Sequence, residues 1–141
     1  MQENENENQI HAPDLRAATS RVIAEEIIKV LIRKQARDVV LYDVAESTIV
    51  TEHYVICTGR STTHIRALAD EVEYRMGLSG LSPAHIEGRL GGTWILLDFN
   101  SVIVHVFSKE DREFYQLERL LDPGERVDIS GILEALAAEN Q

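Results

Sequence analysis

The chain has 141 residues, 44% of them hydrophobic, and a net charge of −10. That length suits one ordinary domain with a core. The acidic balance argues against a surface that tracks nucleic-acid phosphates, which would gather Lys and Arg, and suits a basic protein partner. No apolar run reaches the roughly 18–20 residues that span a bilayer.

Met1 to Asn8 alternate Glu and Asn, and residues 1–13 carry too little apolar surface to offset the cost of ordering, so they read as a disordered acidic tail. The tail is neither a secretory signal nor an Arg-rich transit peptide, which makes the expected location cytoplasmic. The main domain is expected over residues 14–121 and a C-terminal helical extension over 122–141.

From Asp14 the pattern turns helical, with Val22, Ile23, Ile27, Val30 and Leu31 forming an apolar stripe through about Ala36. Asp38 to Val44 reads as a strand. His53 to Thr58 reads as a second one, apolar enough to be central in its sheet. It holds the single cysteine, Cys57, expected to be a buried thiol. Gly59-Arg60-Ser61 ends the strand and opens a helix capped by Ser61, with Ile65, Leu68, Ala69 and Val72 facing the core. That helix runs to about Met76, and Ala84 to Glu87 then forms a short edge strand.

Thr93 to Phe107 reads as a hairpin turning at Asn100-Ser101. Its alternation puts Ile95, Leu97, Phe99, Val102, Val104 and Val106 on one apolar face. Trp94, Leu96, Asp98, Ile103, His105 and Phe107 lie on the other, which either a helix or another protein must cover. A helix is expected from about Glu110 to Leu121, with Phe114, Leu117 and Leu121 inward and Tyr115 and Glu118 projecting elsewhere beside Glu113 and Arg119. A last amphipathic helix is expected from Asp128 to Ala138. Strands interleaved with helices give an α/β fold with a mixed sheet of about five strands flanked by helices.

The turn at Gly59-Arg60-Ser61 sets up an alternative, a nucleotide-binding or nucleotidyltransferase-like enzyme with an anion at a helix N-terminus. Two-metal chemistry of that kind needs clustered carboxylates, and the next strand offers Glu87 alone. Gly59-Arg60-Ser61 is not a Gly-x-Ser-x-Gly elbow either, because Thr63 stands at the final position. No His pair has a metal-ligand spacing, so neither catalytic residues nor a metal or cofactor is assigned.

Four blocks in order resemble the ribosomal silencing factor family (RsfS), also called iojap-like proteins. They are Thr58-Gly59-Arg60-Ser61 with His64 and Ala67, Trp94 with Asp98, His105 in its Val-His-Val strand, and Arg112-Glu113-Phe114-Tyr115-Gln116-Leu117-Glu118. The resemblance implies a nucleotidyltransferase-like architecture without catalysis. It implies a translational repressor that binds the large ribosomal subunit through a basic ribosomal protein at the intersubunit face and blocks joining of the small subunit. The residues expected to meet that partner are Trp94, Asp98, His105, Glu113, Tyr115, Leu117 and Glu118. For Trp94 both core and interface remain open. A homodimer using the mixed face as its own dimer surface is a third reading. The extension carries Ile129, Ile132, Leu133 and Leu136 on one side, a stripe that must pack on its own domain, seal a dimer or cover the Trp94 face.

Overall fold

The structure, a computed structural model, describes residues 12–120 and 124–139. The expectation for the N-terminal tail falls outside them except for Ala12 and Pro13, as does the inward placement of Leu121. The elements in order are α1 (Ser20–Arg33), β1 (Arg37–Asp43), β2 (His53–Thr58), α2 (Thr62–Leu78), β3 (His85–Glu87), β4 (Trp94–Asp98), β5 (Val102–Phe107), α3 (Lys109–Tyr115), α4 (Leu117–Leu120), β6 (Glu125–Val127) and α5 (Ser130–Glu139). The strands form one mixed sheet in the order β3-β4-β5-β2-β1-β6. β2 and β5 run parallel, and the other neighbours pair antiparallel.

β2 is central, as its apolar run implied, and it buries Val55, Ile56 and Cys57 completely. Burial in these apolar surroundings pushes the Cys57 thiol up to about 12, far from the reactive thiolate range. α2 begins where Ser61 accepts a hydrogen bond from the His64 N–H at 3.0 Å, and its Ile65, Leu68, Ala69 and Val72 are fully buried. The β4–β5 hairpin turns at Asn100, whose φ of 71° is the left-handed conformation that Asn tolerates. Its Ile95, Leu97, Val102, Val104 and Val106 join α1 and α2 in the main core.

Three expectations need correction. The first helix starts at Ser20, not near Asp14. Asp14 accepts from the Arg16 backbone N–H and guanidinium, a local turn that competes with helix, while Leu15 plugs into the core beneath the end of α2. The helix after Ser108 is not continuous to Leu121, because Gln116 sits in the left-handed region (φ 47°, ψ 48°) and separates α3 from α4. Phe114, expected inward, is 80% exposed as a result.

The sheet gains a sixth strand from the C-terminal segment. β6 lies along the edge of β1, pairing Leu41 with Val127 and Tyr42 with Arg126. Of the α5 stripe, Leu136 is buried, Ile132 packs against the main core with Ile129 just before the helix, and Leu133 stays exposed. The segment therefore packs on its own domain, next to α1, where Arg33 also pairs with Glu139 at 2.9 Å. Its described residues leave the Trp94 face uncovered. Among the described residues no helix is long and apolar enough to cross a membrane.

Candidate interaction site on the open sheet face

The three long helices all pack on the sheet face that carries Leu41, Val55, Leu97 and Val104. Among the described residues the opposite face meets only α3 and α4, at one end. Strand registers fix what lies there. One row across the sheet reads Glu87, Leu96, His105, Ile56, Val40, and the next reads His85, Asp98, Ile103, Tyr54, Tyr42, Arg126. Trp94 and Phe107 pair at the end where α3 begins. A small cluster of Val40, Val44, Ile56 and Phe107 is shielded, Ile103 and His105 are buried on the same face, and Tyr42, Tyr54, Trp94 and Leu117 lie half-buried around them.

The aromatic rings on this face form one connected path. Tyr54 lies 5.5 Å from His105, and His105 lies 5.9 Å from both Trp94 and Phe107. Trp94 stacks on Phe107 at 4.7 Å and meets Tyr115 of α3 at 4.8 Å, and Tyr115 meets Phe114 edge-on at 5.0 Å. Exposure rises along the path, from 4% at His105 to 49% at Tyr115 and 80% at Phe114. Such offset and edge-on pairs hold rings in fixed poses, and an amphipathic ring field open to solvent suits recognition of another surface.

The Trp94 indole N–H donates to His105 Nδ1 at 3.0 Å. His105 must therefore keep Nδ1 as an acceptor, and burial pushes its pKa down to about 4, so the imidazole is neutral at physiological pH. Asp98 belongs to the same face. Its carboxylate accepts from the Asn100 N–H at 2.7 Å and, after burial, is the second cause that raises the Tyr54 phenol.

Arg112 fastens α3 to this end of the sheet. Its guanidinium donates to the Asp38 carbonyl at 2.7 Å, to Thr58 Oγ1 at 3.0 Å and to Glu118 at 2.8 Å. Asp38 offers that carbonyl from a bulge in β1, with φ at 51°. The Arg112–Glu118 pair spans the break at Gln116, so Tyr115 is held over Trp94 while Leu117 packs against the shielded cluster.

Of the residues read from sequence, Trp94 touches both His105 and Tyr115, Asp98 shares their face and Leu117 packs against the shielded cluster. Glu113 and Glu118 line an adjacent cleft of about 580 Å³ with Lys109, Arg112 and Arg119. Glu118 is engaged by Arg112, so its charge is largely internal. Tyr54 and the exposed Phe114 were missed. Tyr54 stands in a strand read only as central, and Phe114 sits at core spacing.

The Gly59–Ser61 turn borders another cleft, of about 660 Å³, where Arg37, Arg60 and Lys109 face Asp38, Glu110 and Asp111. These formal charges cancel. His64 there is structural, with Nδ1 accepting from the Arg60 N–H and the other ring nitrogen on the Lys34 carbonyl, both at 2.9 Å. No group of three or more His, Cys, Asp or Glu among the described residues could hold a metal ion.

Comparison with known proteins points in one direction. The model of the family described as "Ribosomal silencing factor during starvation" matches residues 17–141. A Haemophilus influenzae ribosomal silencing factor is 32% identical over 98 residues, covering 70% of this chain and 96% of the relative. Its Bacillus subtilis counterpart is 31% identical over 96 residues, covering 68% of this chain and 81% of the relative. A mouse protein named for mitochondrial assembly of the large ribosomal subunit is 32% identical over 97 residues, covering 67% of this chain and 42% of that protein. Among solved structures, a Chromobacterium violaceum protein superposes with a TM-score of 0.71 at 27% identity, covering 72% of this chain and 85% of the other.

Proposed function

Because this chain belongs to the ribosomal silencing factor family, we propose that it represses translation by docking its open sheet face on the large ribosomal subunit. The contact is with a basic ribosomal protein at the intersubunit face, and the bound domain then stands in the way of the small subunit. No chemical step is required. The relatives carry the names of regulators rather than enzymes.

The observation that carries this reading is the ring path from Tyr54 to Phe114, which among the described residues only α3 and α4 partly cover. A half-buried Trp fixed by stacking and by one hydrogen bond is a suitable anchor, because little side-chain entropy is left to lose on binding. The acidic charge of the whole chain favours encounter with a basic protein.

Co-sedimentation of the protein with isolated large and small subunits, separately and mixed, tests the proposal. Binding to the large subunit together with fewer joined ribosomes is the expected result. Binding to neither subunit, or self-association that buries the ring path, would remove it.

A further inference from the structure

The open face is polarised across the sheet, and the C-terminal segment supplies one of its two poles. On the β3–β4 side the registers set His85 beside Asp98, with Glu87 beside Leu96 on the same face. His85 Nε2 lies 2.9 Å from Glu87 Oε1, which keeps that exposed carboxylate in place at the rim. On the far side Arg126 of β6 lies beside Tyr42, exposed on the same face, while its neighbours Glu125 and Val127 pair with Asp43 and Leu41 and so follow the helix-covered face. The two rims are five strand spacings apart, roughly 24 Å. Between them run Leu96, Ile103, His105, Tyr54 and Tyr42.

We propose that the docking surface spans this whole face, the Glu87/Asp98 rim receiving a basic side chain of the ribosomal protein and Arg126 receiving one of its carboxylates. This rests on the function proposed above and sets the orientation in which the domain docks. An apolar centre with charged groups at its margin is the usual plan of a specific interface, in which rim charges steer encounter and fix register. The occupant is a protein surface. Nucleic acid would satisfy Arg126 and stack on the rings, but its phosphates would meet Glu87 and Asp98 with like charge.

The test compares full-length variants for binding to purified large subunits at low and moderate salt. R126E and E87K reverse one pole each, and E134K reverses an exposed charge on α5, on the helix-covered side. The expected result is weaker binding by about fivefold for R126E and for E87K, through faster dissociation for R126E and slower association for E87K, with E134K unchanged. Since β6 is short, R126Q accompanies R126E. It removes the charge without introducing a new one and should show about half the loss on a logarithmic scale. Unchanged affinity for R126E and R126Q, in a protein that still binds and is still weakened by Trp94→Ala, would overturn the polarised orientation and leave the proposed function standing. Equal effects of E134K and E87K would reduce the matter to overall charge and also overturn it. A wild-type chain that binds no large subunit would remove the reading on which both depend.

Discussion

The two faces of the sheet are built from different kinds of residue. The helix-covered face is aliphatic, and Ile27, Ile28, Leu31, Leu68 and Leu97 are all inaccessible to solvent. The open face is aromatic and half-buried, and its rings are tied by stacking and by a polar bond rather than by close aliphatic packing. Each face also holds one buried histidine. His53, on the covered side, bonds to the Ser20 hydroxyl at 2.9 Å, and His105, on the open side, bonds to Trp94. Under the proposed function, stability and recognition sit on opposite sides of the same strands, so consecutive residues of β4 and β5 serve opposite purposes.

The largest effect separating the faces should come from Leu97→Ala. Its side chain is fully buried between sheet and helices, and truncation there should cost about 3 kcal/mol of folding stability, read as a lower denaturation midpoint. Any loss of ribosome binding should then follow the loss of folded protein alone.

Acid should act next, through His105. Its folded pKa is near 4 against an ordinary 6.5, so between those values the unfolded chain binds more protons than the folded one. Stability therefore rises with pH across that window and is lost as pH falls from about 6.5 to 4, by up to about 3 kcal/mol. Burial also lowers the His53 pKa, and Asp43 opposes the shift, so His53 acts in the same direction. His105→Asn, which can keep an acceptor for the Trp94 indole, should flatten the pH dependence of the melting temperature. An unchanged slope would transfer the effect to other groups. Trp94 is the only tryptophan, so its fluorescence reports the loss of its acceptor in the folded protein as pH falls to about 4.

Trp94→Ala sharpens the comparison from the open side. Large-subunit affinity should fall by on the order of 2 kcal/mol. The fold should persist at a reduced melting temperature, because the indole is only half-buried. Full affinity in a folded variant would take Trp94 out of the interface, and collapse of the fold would make it a core residue.

Much of this division was legible in the sequence, because alternation in the hairpin assigns Ile95, Leu97, Val104 and Val106 to one side and Trp94, Asp98 and His105 to the other. Ser61 announced its helix, and the apolar run from His53 announced a central strand. Four features gave no such signal. The bulge at Asp38 and the break at Gln116 put residues other than glycine in the left-handed region, where Arg112 bonds to the Asp38 carbonyl and, across the break, to Glu118. β6 is only three residues long, and only the free edge of β1 makes it a strand. The ring path combines three strands and a helix, so no linear pattern contains it.

Phe114 is the smallest expected effect and the most discriminating one. Helical spacing placed it with Leu117 in the core, but the turn at Gln116 rotates the two apart, and Phe114 ends the ring path almost fully in solvent. Phe114→Ser removes little buried surface, so folding stability should stay within about 0.5 kcal/mol of wild type. An exposed phenylalanine edge-on to Tyr115 still offers apolar area to a docked partner, and its loss should weaken large-subunit binding by about 1 kcal/mol. Stability unchanged with binding reduced would extend the recognition surface from the sheet onto α3. Reduced stability would instead mean that α3 packs as the linear pattern suggested, with the break at Gln116 giving way.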